Sequence, residues 1–503
     1  MLFTNKFPSH LPNAILGPHL KSAIRNSAFL FIGCVLFHVA GTWNLPLVDR
    51  DEPRFAEASR EMIERGDYII PYFNNHFRFD KPPLTYWAQV ASYRIFGEND
   101  FAARFPSAIA AALTALSIFA WGARIGTNRI GWWAAIIFTL SLQTFVHAKA
   151  AVADMWLVLF VTLAHCSGYE LLGFSAERAT SNAQRPTLNW FWWPMFYLSL
   201  AFAFLTKGPI GWAPFLTIGC ALFFASEKQV AKRFKFLRGL ALTVAVVALW
   251  GIPALTRTHG EFLTIGIGRH VIGRSFGAME GHGANSFGVY LLLLPFYFVT
   301  LFASFFPWSI KLPWLAQRLW KERDKIDNYL LSGSAVIFVI FTLVKTKLPH
   351  YTLPVFPLLA LLLARHLAAV QFSVRTFRKF AAVAAVLLLA MALLLPPFVA
   401  RFFPAADLFK QSRSELVPEM EFGAVNFTEP SLVWYFRGRA RGFMTTLRRE
   451  KVEEFMEKAG PRFVIMPMDF AMSSPANGKR FSSHGFNIAK GKHVDLTLVL
   501  KPE

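Results

Sequence analysis

The sequence predicts an α-helical polytopic membrane protein carrying a small α/β domain at its C-terminal end. Two observations carry that prediction. Hydrophobic residues make up 54% of the 503 residues and charged ones only 17%, against about 45–50% and about 25% in soluble domains. Several stretches also run to roughly 20 apolar residues, the length that crosses a hydrocarbon layer about 30 Å thick. So much apolar surface excludes a disordered chain, and stretches of that length exclude a single soluble domain. The net charge of +21 would point to nucleic acid only on a basic soluble face. Cationic loops flanking membrane spans account for it, so no nucleic-acid partner is expected.

Taken in order, residues 1–26 form a cationic N-terminus. The first apolar run then starts late and continues as a full span, unlike a cleaved signal peptide. About eleven spans are expected, at 27–45, 104–123, 129–147, 152–172, 190–206, 209–226, 236–255, 287–308, 328–345, 350–367 and 379–400. A shorter run at 84–97 could raise the number to about thirteen. Lys and Arg fall mostly in alternate connections, including Lys6, Lys21 and Arg25, then Lys228, Lys232 and Arg233, then Lys311, Arg318 and Lys321. The positive-inside rule therefore places the N-terminus in the cytoplasm. An odd number of spans places residues 401–503 outside. Within the membrane domain 27–400, two outer segments are long, 46–103 and 256–286. In the C-terminal segment, 431–436, 462–466 and 494–500 read as strands and 451–459 as a helix. Cys34, Cys166 and Cys220 lie in apolar stretches without metal-ligand or disulfide spacing and read as core residues.

Unusual polar residues gather on the outer face. Asp51, Glu52, Pro53 and Arg54 follow the first span, and Asp51 suits the cap of a helix starting near Pro53. Phe55, Ala58 and Met62 would mark its apolar face, with Glu57, Glu61 and Glu64 on others. In Phe79-Asp80-Lys81-Pro82-Pro83 the double proline starts a new element at the membrane boundary. Lys207, before Gly208-Pro209, sits on the outer side against the positive-inside trend, as do Lys345 and Lys347. Snorkelling is one reading of such a lysine; an anionic ligand is the other. Arg269, His270 and Arg274 add cations, and Asp154 adds a carboxylate where a span begins. Carboxylates can act as general bases, and Lys and Arg can bind a phosphate and stabilise it as it leaves. The set suits a substrate with a lipid tail and a phosphate head, without naming a sugar.

Asp51-Glu52-Pro53-Arg54-Phe55-Ala56-Glu57 with Arg60-Glu61-Met62 resembles the first outer loop of the bacterial aminoarabinose transferases of lipid A, which are GT-C-fold membrane glycosyltransferases alongside the protein O-mannosyltransferases. Four further blocks occur in family order: Phe79 to Leu84, Leu205 to Pro209, Phe306 to Ser309, and Lys345 to Tyr351. The resemblance runs over about residues 27–370. Phe55 and Asp80 stand where relatives often have Tyr and Glu, and the loop at 269–286 aligns poorly.

The resemblance implies a bacterial inner-membrane enzyme that takes a sugar from a polyprenyl-phosphate donor, with inversion, outside the cytoplasm. A lipid A-type glycolipid of the membrane would be the first choice of acceptor, otherwise a glycan or a protein hydroxyl. The catalytic carboxylate falls on Asp51, and Asp154 matches a second acidic position. Substrate-contacting positions fall on Arg54, Lys81, Lys207 and Tyr351, and further on His270 and Arg274; Asp80, Lys345 and Lys347 join the substrate-binding candidates on their charge and outer position. No cofactor is required, although Asp80 with His270 offers a carboxylate and an imidazole to a divalent ion. A transporter of lipid-linked sugars would use the same cations but usually shows inverted repeats and midplane polar groups. A scaffold would leave the cations unexplained.

Overall fold

A computed structural model of the protein describes residues 18–174, 189–225, 228–273, 286–473, 478–488 and 490–501. Among these, six helices are long and apolar enough to cross a membrane: Asp100–Ile125, Asp154–Leu172, Val230–Arg257, Lys325–Leu343, Pro349–Ala369 and Val374–Ala400. A bent pair, Phe296–Ser304 and Trp308–Glu322, makes a seventh if it counts as one span. Shorter apolar helices occupy Ile24–Val39 and Pro209–Phe223. The Asn189–Lys207 helix also has the length of a span, with Trp190, Trp192 and Trp193 near its start, as in a membrane-interface belt.

Several expected spans are therefore interrupted, one of them at prolines. The stretch 129–147 divides at Leu140 into helices Asn128–Thr139 and Leu142–His147. The stretch 287–308 divides around Pro295 and Pro307, which lack the N–H that would continue a helix. The run at 84–97 forms the 13-residue helix Leu84–Phe96, roughly 20 Å long at 1.5 Å per residue and too short to cross. It does not add a span.

Small residues set the membrane core. Ala110, Ala111, Ala112 and Ala115 of the Asp100–Ile125 helix are fully buried. Gly131 of the next helix lies so close that a Cβ would stand 2.4 Å from the carbonyl oxygen of Phe119. Small residues allow backbones this near without lipid between them.

The first outer segment opens with the helix Asp51–Arg65. Arg50, not Asp51, occupies its cap position, and no side chain caps the end. Asp51 is thus a residue of the first turn with its carboxylate free of the backbone, a correction to the capping role. A hairpin follows, with β1 (Tyr72–Phe73) antiparallel to β2 (His76–Phe77).

The C-terminal segment builds one mixed sheet from β3 (Glu421–Val425), β4 (Thr445–Leu447), β5 (Arg462–Pro467), β6 (Arg480–Asn487) and β7 (Lys492–Leu500), in the order β4-β3-β5-β7-β6. β3 runs parallel to β4 and β5, while β7 is antiparallel to β5 and β6. The runs at 462–466 and 494–500 are strands and 451–459 contains the helix Val452–Glu457, as expected. The run at 431–436 is instead the helix Pro430–Arg437. Its unbroken apolar stretch has no period of its own, and Pro430 at the first helical position favours a helix start. That helix buries Leu432, Val433 and Phe436 against Phe422 and Phe463 of the sheet.

One buried ion pair fastens the outer segment to the membrane core. Glu52 accepts bonds from Arg104 Nε at 2.9 Å and Nη2 at 2.7 Å, from Val48 N at 2.7 Å and from Ala151 N at 2.7 Å. Arg104 also donates to the carbonyls of Thr42, Leu45 and Pro46. Breaking a buried pair by removing one partner costs about 3–5 kcal/mol, because the other charge is left uncompensated. Arg104→Ala is therefore expected to lower the thermal midpoint of the detergent-purified protein by many degrees. Arg104→Met with Glu52→Leu should recover part of that loss; no recovery would mean that the hydrogen bonds to the carbonyls, rather than charge balance, dominate.

Candidate active site

A cavity of about 890 Å³ runs from the outer segment into the helices. One end is charged, lined by Asp51, Arg54, Arg78, Asp80, Lys81, Asp154 and Lys207. The other is an apolar arm between the Asn189–Lys207, Ala213–Ala225 and Phe236–Arg257 helices, with Leu200, Phe204, Leu216, Leu240 and Val247 on its walls. Leu216 and Leu240 are themselves exposed, so the arm opens sideways toward lipid.

Local structure explains the convergence. Asp51, Arg54 and Phe55 stand one turn apart on one helix face. Arg78 to Pro82 come from the loop after the hairpin, which the double proline ends by starting the Leu84–Phe96 helix. Asp154 begins its helix and Lys207 ends another. Gly208, at φ +79°, turns the chain there into Pro209. His350 and Tyr351 lie on the 3-10 turn Pro349–Val355.

Lys207 Nζ donates to Asp154 Oδ1 at 2.6 Å and lies 5.4 Å from the Tyr351 ring centre. His350 Nε2 is 3.9 Å from the same Asp154 oxygen. Asp80 pairs with Arg78 at 3.1 Å, and Arg78 Nε donates to Tyr86 Oη at 2.9 Å. Burial disfavours the Arg78 charge, but Tyr86, Asp80 and Asp51 outweigh it and hold its pKa above the ordinary arginine value. Arg54 makes no ion pair among the described residues. Lining cations (Arg54, Arg78, Lys81 and Lys207) outnumber the carboxylates of Asp51, Asp80 and Asp154, which suits an anionic substrate.

Of the residues predicted from sequence, Asp51, Arg54, Asp80, Lys81, Asp154, Lys207 and Tyr351 line this cavity. Lys345 and Lys347 do not. Lys347 is buried with Nζ donating to the carbonyls of Phe341 and Thr342, near the Tyr290 and Tyr297 rings. It satisfies the last carbonyls of the Lys325–Leu343 helix, a correction to the substrate-binding role. Lys345 is half-buried and off the cavity wall. His270 belongs to the helix Phe262–Gly273, but its side chain and the whole of Arg274 lie outside the described residues. The pairing of Asp80 with His270 around an ion is thus not described.

Sequence reading missed Arg78 and His350 as lining residues. Arg78 had a signal, a charge between two phenylalanines just ahead of Asp80-Lys81; His350 stood unassigned beside Tyr351. Among the described residues, His147, Asp154 and His350 present ligand atoms within 4.8 Å of one another. Two imidazoles and a carboxylate suit a divalent ion, but the Lys207 ammonium already sits on Asp154. An ion there would compete with it.

The fold is that of a solved protein. ArnT from Cupriavidus metallidurans bound to undecaprenyl phosphate superposes with a TM-score of 0.73 at 19% identity, covering 95% of this chain and 98% of that one. Residues 80–252 match the family described as dolichyl-phosphate-mannose-protein mannosyltransferase. An undecaprenyl phosphate-alpha-4-amino-4-deoxy-L-arabinose arabinosyl transferase from Enterobacter sp. (strain 638) is 29% identical over 363 residues, 71% of this chain and 62% of that protein. A second transferase of that name, from Sodalis glossinidius, is 32% identical over 63% of this chain and 55% of its own length. The chain spans less than two thirds of either transferase. An uncharacterized protein from Aquifex aeolicus is 30% identical over 66% of this chain and 71% of its own. In this chain the segments at 51–57, 79–84, 205–209 and 345–351 all contribute residues to the cavity wall, whereas Phe306 to Ser309 do not.

The two lysines separate cleanly by position. Lys207→Ala is expected to lower turnover at least about tenfold, as loss of a charged group from the wall of a site that takes an anion does. Lys347→Ala should leave turnover nearly intact while costing about 1–3 kcal/mol of stability through unpaired carbonyls. Rate assays and thermal unfolding of both variants check this; a large rate loss in Lys347→Ala would put that lysine back at the site.

Proposed function

We propose that the protein transfers a sugar from a polyprenyl-phosphate donor to an envelope acceptor, a lipid A-type glycolipid first, at the outer face of the bacterial inner membrane. The N-terminus would be cytoplasmic and residues 401–503 periplasmic. The observation that carries this reading is the single cavity joining an apolar arm open to lipid with a charged end holding Asp51 and Lys207. A prenyl chain suits the arm, and a phosphate suits the cations. The relatives' names point to undecaprenyl phosphate and an aminoarabinose sugar.

The chemistry follows from the groups present. Asp51 accepts the proton of the acceptor hydroxyl as its oxygen attacks the anomeric carbon. The bond from that carbon to the phosphate oxygen breaks on the opposite face, and its electron pair stays on the polyprenyl phosphate. Lys207, with Arg54 and Lys81, stabilises the charge that grows there. Asp154 holds the Lys207 side chain in place through their 2.6 Å bond until a phosphate takes its place as partner.

Asp51→Asn keeps size and shape but cannot take a proton. Turnover should fall about 10²–10⁴-fold, while binding of undecaprenyl phosphate stays as in the parent. Product mass spectrometry with purified protein and a lipid-linked donor checks the rate; equal activity in the Asn variant would remove Asp51 from this role. Leu240→Trp should narrow the arm. It is expected to raise KM for a long-chain donor several-fold and spare a short-chain donor, since only the interaction with the remote tail is lost. Equal effects on both donors would place the prenyl chain elsewhere.

A further inference from the structure

Asp51 is held from both sides by one helix of the C-terminal segment. On its N-terminal side, Asp49 accepts from Ser431 N at 2.9 Å and from Ser431 Oγ. Arg50 Nε donates to Glu429 Oε2 at 3.1 Å. Leu47 N donates to Tyr435 Oη at 2.9 Å, and that hydroxyl donates to Asp100 Oδ2 at 2.9 Å. On its C-terminal side, Arg437 pairs with Glu57 and reaches Glu64 Oε2 at 2.7 Å. Arg60 Nη1 donates to Glu57 Oε2 at 2.7 Å and to the Trp434 carbonyl at 2.9 Å, with its guanidinium 3.9 Å from the Trp434 ring centre. Glu57, Arg60, Glu61 and Arg437 are all buried.

These contacts have a direction. The Asp51–Arg65 helix turns Asp51, Arg54 and Phe55 to the cavity and Glu57, Glu61 and Glu64 to the Pro430–Arg437 helix. No side-chain cap fixes the end of the helix where Asp51 stands. What fixes that end is the bonding of Asp49 and Arg50 to residues 429–431. A buried charge pair is strongly directional because neither partner tolerates loss of the other, so the two clamps set how far the helix slides and turns.

We infer that the Pro430–Arg437 helix of the C-terminal segment is a positioning element for Asp51, with Ser431 and Arg437 as its two positioning residues. The inference rests on Asp51 being the base, as proposed above. Neither residue touches the cavity, so each acts through the Asp51–Arg65 helix. The C-terminal segment is then part of the catalytic machinery rather than only a cover over it.

Steady-state kinetics of the full-length protein test this. Ser431→Ala should lower kcat about tenfold and Arg437→Ala about 100-fold, the scale of a 1 Å misplacement, with KM for the lipid donor within about twofold. Arg437→Lys should recover part of the kcat, because it keeps the charge on Glu57. Arg437→Ala leaves the buried Glu57 with Arg60 alone as its charge partner and can fail to fold, so Glu57→Gln with Arg437→Gln provides a neutral, hydrogen-bonding replacement with the same kcat expectation. In the Asp51→Asn background, Arg437→Ala should add no further loss, since the group it positions is gone. Losses confined to KM or to thermal stability, or normal kcat in the neutral pair, would overturn the positioning role while Asp51→Asn remains inactive. Full activity of Asp51→Asn would overturn the proposed function itself.

Discussion

The Glu52–Arg104 pair is the constraint on which the site depends. Glu52 stands next to Asp51 and is buried. Four donors surround its carboxylate, two from Arg104 and two from the backbone of Val48 and Ala151. The same arginine closes the chain after the first helix by binding the carbonyls of Thr42, Leu45 and Pro46. Removing two charges from water costs several kcal/mol each unless geometry and extra hydrogen bonds offset it. Here the extra bonds are the useful part. They register three separate segments against one another: the start of the Asp51–Arg65 helix, the Asp100–Ile125 helix, and residue 151 just ahead of Asp154. Asp51 and Asp154, two of the three acids at the charged end, are thereby placed by Glu52, which does not line the cavity.

The site works as a meeting of two solvents. Its arm is apolar and open to lipid, and its far end concentrates charge under limited exposure. In such surroundings an unpaired ammonium is costly, which explains why Lys207 rests on Asp154 at 2.6 Å and why Arg78 rests on Asp80 and Tyr86. On the proposed function, a lipid phosphate arriving from the arm would replace a carboxylate as partner without moving a charge into hydrocarbon. Arg54 differs: among the described residues it makes no ion pair of its own, although its charge is felt by Asp49.

Sequence pattern revealed the membrane class and much of the charged end, because an ionisable residue beside a long apolar run is costly and conspicuous. Asp51, Lys81, Asp154 and Lys207 were legible on that ground. What failed was any distinction resting on tertiary partners. Lys207 and Lys347 look alike in sequence, each near a proline after an apolar stretch; one points into the cavity and the other onto the carbonyls of its own chain. Glu57, Glu61 and Glu64 looked like the outer faces of a surface helix. Their partner, Arg437, comes from 380 residues away in the chain in the Glu57 pair, and no local period reports such a pairing. The run at 431–436 misled for the same reason, since an apolar stretch buried on several sides has no amphipathic period to read.

The outer helix between membrane and sheet therefore has two faces with two kinds of chemistry. Toward the cavity it presents Asp51 and Arg54, which must stay able to exchange partners during a reaction. Toward the C-terminal segment it presents carboxylates locked to Arg60 and Arg437, which must not. A 15-residue helix lying at a membrane boundary has little intrinsic stability in isolation, since helices of this length are marginal in water. Its rigidity has to come from packing and charge pairing on the side away from the substrate. The locked face is what allows the exchanging face to be both exposed and fixed in position, and fixed position is what electrostatic stabilisation of a leaving phosphate requires.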